Sequence, residues 1–217
     1  GLAPGPYCTM LLGDLGADIV VIEAPPGAGR RMDVGGEGRA LAFNPLRRNK
    51  RSIGLNLKDP GAQEAFMRMA EKADVVIEGY RPGVVKRLGV DYDAVSKRNP
   101  NIVYCSLSGY GQTGPYSNLV GHDINYISLG GALGATGWPG QPPAIPLNVI
   151  ADFAGGGLYA AFAILAAVIA RGKTGKGQYI DMAMSDGVTS LLAMATGQYF
   201  GNGIVPKAGA DFLDLNL

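Results

Sequence analysis

Short β-rich runs at Ala17–Glu23, Ser52–Leu57, Asp74–Gly79, Asn101–Ser108 and Gln178–Met182 alternate with stretches of helical character, and that alternation leaves few folds open. Strands separated by helices cannot pair through tight hairpins. Each connection crosses over, which gives parallel pairing with helices on the sheet faces. The helical signals support this. Asp59 followed by Pro60 and Glu64 is a cap, a first-position proline and an acid in the first turn, predicting a helix that runs to about Ala73. Pro82–Leu88 and Tyr92–Lys97 predict two shorter helices, stopped by Gly89 and by Asn99-Pro100. The expected fold class is α/β, a Rossmann-like, mostly parallel sheet flanked by helices, with residues 1–217 as one domain.

Size and charge narrow the function. A chain of 217 residues with 47% hydrophobic and 17% charged side chains has enough apolar mass for one ample core. With 19 Lys plus Arg against 18 Asp plus Glu, no global field recruits nucleic acid or an anionic membrane, so any polyanion site is local. Cys8 and Cys105 are far apart and lack metal or redox spacing, which points to a reducing compartment. No basic stretch precedes an apolar run at the start, so no secretory leader is expected. Phe153–Ala170 carries no charge and reaches the length of a membrane span. Its early glycines, its bracketing Asp152 and Arg171 and its missing aromatic belt predict a buried core helix and no membrane span. Gly134–Pro146 reads as an irregular loop of the kind that borders sites.

Whole reaction classes are missing. The chain has no phosphate-binding G-x-x-x-x-G-K-[ST] loop, no G-x-S-x-G elbow, no H-E-x-x-H and no dinucleotide fingerprint. Its single histidine, His122, excludes a metal site of several imidazoles and is the one side chain that titrates near neutrality without a large perturbation. His122 stands at a predicted helix N-terminus, and Asp152 is placed immediately before the uncharged helix. Taken singly, the one reads as a structural histidine and the other as a simple cap. Together they could face one carbon from opposite sides, with helix N–H groups stabilising a developing oxyanion. A second constellation is basic: Arg30, Arg31 and Arg39 in a Gly-rich loop, then Arg47, Arg48, Lys50 and Arg51 before the second run. A solvated surface and a nucleic-acid patch are the plain alternatives. The absence of interleaved aromatics favours a small phosphorylated ligand and no nucleic acid. Arg81 follows the third run, where open α/β sheets bind ligands.

The segments APGPYCTMLLGDLGADIVVIEAPPG, NKRSIGLNLKDP, VVIEGYRPGVVKRLGV, NPNIVYCSLSGYGQTGPY, GHDINY, ADFAGGGL and TGKGQYIDMAM, in this order, closely resemble the family III CoA-transferase superfamily, and within it the α-methylacyl-CoA racemases. The resemblance implies 1,1-proton transfer at C2 of 2-methyl-branched acyl-CoA thioesters through an enolate, with His122 and Asp152 as the acid–base pair. Transferases of the superfamily usually lack a histidine at the position of His122 and use the aspartate matching Asp152 as a covalent acyl carrier.

The backbone N–H of Asp123, at the predicted helix start, is the candidate donor to the enolate oxygen. The resemblance gives Arg30, Arg47 and Arg51 to CoA phosphates, Asn56, Leu57 and Lys58 to the adenine site, and Glu78, Tyr80, Arg81 and Val84 to the pantetheine. Met182, Met184 and Met194 are either core or the lining of an acyl groove. No prosthetic group or metal is implied; coenzyme A enters as part of the acyl-CoA substrate. The family's large domain has one more strand before Gly1 and a small second domain after Leu217, and Asp211–Leu217 departs from the usual continuation. An interlocked homodimer is implied for the full-length protein, in the cytoplasm of a bacterium or in peroxisomes or mitochondria of a eukaryote. A CoA-transferase and an inactive CoA-binding or dimerising fragment are the rival readings.

Overall fold

The computed structural model describes residues 3–25 and 44–209. All strand pairs in it are parallel. β1 (Ile19–Glu23) pairs with β2 (Lys50–Gly54), and β3 (Val75–Glu78), β4 (Val103–Ser108) and β5 (Gln178–Ala183) form a second sheet in that order. The expected single sheet is therefore two hydrogen-bonded units, each parallel. Helices α1 (Pro4–Asp14), α2 (Pro60–Ala70), α3 (Val84–Arg87), α4 (Tyr92–Arg98), α5 (Asp123–Leu129), α6 (Ala132–Ala135), α7 (Tyr159–Thr174), α8 (Met184–Leu191) and α9 (Ala193–Asn202) cover them.

β4 is buried along its whole length, as a central parallel strand covered on both faces must be. Its side chains alternate between two cores. Cys105 and Leu107 join α1, α5, α7 and α8 through Cys8, Ile127, Ile164 and Val188, while Tyr104 joins α2 and α4 through Phe66, Met67 and Val95. Burial pushes the Cys8 thiol up to about 12 and raises the Cys105 thiol further, so both stay protonated and inert.

Local signals set most boundaries. The Asp59 carboxylate caps α2 by accepting from Gly61 N at 2.8 Å and Ala62 N at 3.1 Å. The second strand starts and ends earlier than expected, because Leu55 N makes the last bond back to Glu23 O and Asn56 then turns the chain, its side chain accepting from Lys58 N at 3.3 Å.

The apolar run 153–170 also differs from expectation. Ala160, Ala161, Ile164 and Ala167 are buried, whereas Phe162, Leu165 and Ile169 on the opposite side of α7, and Leu158 just before it, are exposed, Phe162 by 69%. The helix from Val149 to Thr174 is long and apolar enough to cross a membrane by composition. One face of it is core, and among the described residues nothing covers the other.

Candidate functional site

β4 ends at Ser108, and the chain then runs through Gly109 and Tyr110 to a turn at Gly121 that delivers His122 as the N-terminal cap of α5. Tyr126 holds that turn. Its hydroxyl donates to Gly121 O at 2.6 Å, and its ring stacks edge-on against Tyr110, with centroids 5.0 Å apart. Gly109 and Gly121 supply the space, since a Cβ at either would collide with the Tyr126 ring. Burial pushes the Tyr126 hydroxyl up to about 12, with Tyr110 and Asp152 adding to the rise and Arg81 opposing it. The site therefore gathers groups from the carboxyl ends of β3 and β4, the placement expected of an open parallel sheet.

His122 is exposed, its backbone N–H donating to Asn125 Oδ1 at 3.0 Å. Asp123, the next residue, is only 4% exposed and points inward. Its Oδ2 accepts from Ala151 N and from Asp152 N, both at 2.8 Å, while Oδ1 is buried without a partner. Asp152 thus lies inside a helical segment, not before it. Val149–Leu158 is a π-helical stretch leading into α7, and Tyr159 N–H reaches back to Ala154 O, one residue further than an α-helical bond. The cap expected from Asp152 is supplied by Asp123, which neutralises N–H groups that have no intrahelical partner.

The Asp152 carboxylate is left for the site. It is half-buried and accepts from Asn148 Nδ2 at 3.2 Å. Burial raises its pKa above the usual carboxylate range. The Asn148 bond opposes the rise, the Asp123 charge adds to it, and His122, close enough to act electrostatically, lowers it again. Sequence reading missed Asn148 and Tyr126. Asn148 stands four residues before Asp152, a helical spacing visible only once the helix is known to begin at Val149, and Tyr126 is betrayed only by the glycines it packs between.

Three glycines shape this segment. Cβ atoms at Gly155 and Gly156 would press on α8, at Val188 N and at the Met184 side chain (2.9 Å each), and one at Gly157 on α1 at Pro4 O (2.7 Å). Met182 and Met184 are core residues, whereas Met194 is 58% exposed.

At the end of β3, the Glu78 carboxylate accepts from Tyr80 N at 2.8 Å, and burial raises its pKa against the pull of bonds from Ser106 and Tyr80. Tyr80 and Arg81 are exposed, and Val84, at the start of α3, is half-buried. Arg30, Arg31 and Arg39 lie outside the described residues. The other arginines of the basic cluster carry carboxylate partners: Arg47 with Glu23 at 3.6 Å, Arg48 with Asp14 at 2.5 Å and Arg51 with Asp18 at 2.5 Å. They are surface pairs, worth little in water and open to exchange for a phosphate. Lys50 is structural, its ammonium donating to Pro6 O, Thr9 Oγ1 and Leu46 O at 2.6–2.7 Å. Asn56 and Lys58 are exposed, and Leu57 is half-buried with its carbonyl accepting from Gln63 Nε2 at 2.9 Å. Among the described residues no group of three or more His, Cys, Asp or Glu side chains could hold a metal ion.

Comparison with known proteins gives this geometry a context. Residues 1–214 match CoA-transferase family III. The chain is 43% identical over 191 residues to human alpha-methylacyl-CoA racemase, covering 88% of this chain and 47% of that protein. It is 40% identical to acetyl-CoA:oxalate CoA-transferase of Acetobacter aceti, covering 93% of this chain and 52% of the relative. The crystal structure of a CAIB/BAIF family protein from Brucella suis superposes with a TM-score of 0.84 at 38% identity, over 95% of this chain and 56% of that one. The chain thus spans about half the length of the curated relatives it matches.

Proposed function

The chain belongs to CoA-transferase family III, a family with racemase and CoA-transferase members, and from that premise we propose that it supplies the proton-transfer site of a racemase acting on 2-methyl-branched acyl-CoA thioesters. The observation that carries the reading is that Asp123, next to His122 in the chain, bonds the backbone of Asp152, bringing two residues distant in sequence within electrostatic reach of one another.

In the reaction one of the pair, in its basic form, takes the proton from C2. The C–H electron pair moves into a C1–C2 double bond, and the thioester oxygen becomes an enolate oxygen. The other member, in its acidic form, returns a proton to the opposite face, so the configuration at C2 inverts and the two groups exchange protonation states. A thioester α-proton is weakly acidic, and a base of ordinary strength suffices only where preorganised donors meet the enolate oxygen. The Asp123 N–H, in the first turn of α5, is assigned that role. The raised pKa of Asp152 suits the work, because the carboxylate is a stronger base than a solvated one and its acid form is populated closer to neutrality.

CoA would run from the start of β2, where Arg51 lies beside Asp18, to the carboxyl ends of β2 and β3. Arg47 and Arg51, with Arg30, would hold phosphates; Asn56, Leu57 and Lys58 would line the adenine; Glu78, Tyr80, Arg81 and Val84 would flank the pantetheine. The transferase reading, with Asp152 attacking the thioester carbonyl, retains support from a relative nearly as similar.

Incubation with a 2-methylacyl-CoA in D₂O separates the two. Deuterium at C2 without an acceptor acid is the expected result. CoA transfer to a free acid, with hydroxylamine trapping an acyl group on Asp152 and no C2 exchange, would overturn it.

A further inference from the structure

We infer that the Asp123 carboxylate is a positioning residue that fixes the Asp152 carboxylate against His122, whichever chemistry Asp152 performs. The inference concerns the same site as the proposed function but rests on geometry that both readings share. Asp123 is nearly sealed from solvent, and its Oδ2 is spent on the backbone of the residue that carries the reacting carboxylate. Because Asp123 directly follows His122 in the chain, one side chain ties the imidazole's helix to the Asp152 segment through two 2.8 Å bonds. The π-helical turns there leave backbone groups in unusual register, so an outside acceptor is needed to define which N–H groups begin the segment.

The buried charge has a second effect. Its unpartnered Oδ1 leaves it only partly neutralised, and it adds to the rise in the Asp152 pKa. Among the described residues, Asp123 and the α5 cap His122 act electrostatically on Asp152, and Tyr110 after β4, Asp152, Arg81 after β3 and Asp123 act on Tyr126.

Two substitutions in the intact protein divide these effects. Asp123→Asn keeps an oxygen for both N–H groups and removes the charge. Its kcat should stay within about tenfold of the parent, and the acid limb of its pH profile should move to lower pH, because loss of a like charge favours ionised Asp152. Asp123→Ala removes the acceptor. Its kcat should fall about 100-fold with KM little changed, the penalty of a misplaced reacting group.

Both C2 exchange and CoA transfer are assayed, so a parent that only transfers CoA refutes the racemase reading while leaving this test running on transfer. Two readouts need no turnover: amide hydrogen exchange over 149–158, protected in Asp123→Asn and fast in Asp123→Ala, and NMR titration of the Asp152 carboxyl carbon, lower in Asp123→Asn. An Ala variant with parental kcat and amide protection, or an unmoved Asp152 titration in the Asn variant, would overturn the inference.

Discussion

Gly155 and Gly187 pack backbone against backbone, so close that a Cβ on Gly187 would collide with the Gly155 carbonyl. The contact seats the Asp152 segment on α8, and only paired glycines permit it. Gly187→Ala should cost about 1–3 kcal/mol, the range for forcing a methyl into a filled core. Gly172→Ala is the control. That position is exposed in α7, has nothing within 4 Å of the added Cβ, and should gain about 0.5–1 kcal/mol from helix propensity. Urea unfolding of both variants measures the difference, and equal effects would show that packing is not what the glycine at 187 supplies.

Asp152 should be a liability to the fold and a requirement of the reaction. Burial sets its folded pKa above the unfolded value of about 3.9. A group raised in this way contributes stability in full below its unfolded pKa and loses it as pH rises through the folded one. At pH 7 the ionised carboxylate therefore weighs against the folded state. Asp152→Asn should melt higher than the parent at pH 7, with an advantage that shrinks as the medium is acidified toward pH 4. The same variant should lose activity by about 10²–10⁴-fold, the usual worth of a positioned acid or base. A variant that melts lower than the parent at neutral pH would show that the carboxylate is stabilising after all.

What could be read in advance follows from what is local. The Asp59-Pro60 cap, the apolar run of β4 and the placement of His122 at a helix N-terminus are each set by a few neighbouring residues, and the structure has them. The position of Asp152 within its helix was not legible. The segment begins at Val149 because Asp123, far away in the chain, caps it, and its π geometry answers to contacts of Gly155, Gly156 and Gly157 with α8 and α1. The start of β2 is hidden from the sequence for a similar reason. Ser52–Leu57 alternates well, but the pairing with β1 begins at Ile19↔Lys50. In α7 both faces are apolar, so composition could not tell which would be buried.

Lys50 should matter to the fold more than to any ligand. Burial lowers its pKa to about 8, with Arg47 and Arg48 adding to the fall and Asp14 opposing it, so the ammonium persists at neutral pH. Its three donors meet three acceptors that join α1 to the start of β2. Lys50→Met keeps the stem and removes one charged donor from each of the three oxygens, which should cost about 1–3 kcal/mol. The loss should appear as a lower urea midpoint at unchanged slope. In the assay KM should hold constant for the protein that remains folded, whereas a rise in KM at full stability would move Lys50 from the frame to the ligand.

The pairing of Arg51 with Asp18 sets up a competition that tests the CoA assignment. Both side chains are well exposed, and the guanidinium makes a two-point contact through Nε and Nη2. A phosphate arriving at Arg51 would have to displace Asp18 or share the guanidinium with it. Asp18→Asn should therefore tighten CoA by about two- to fivefold, the factor equivalent to one surface ion pair. Arg51→Ala should weaken it, raising KM with little change in kcat, because the contact is equally present in ground and transition states. Both effects should fade as ionic strength rises. Titration calorimetry with free CoA at two salt concentrations, together with steady-state kinetics of Arg51→Ala, checks all three expectations. Identical affinities for the parent and both variants at low salt would remove Arg51 from the proposed phosphate site while leaving the proton-transfer pair untouched.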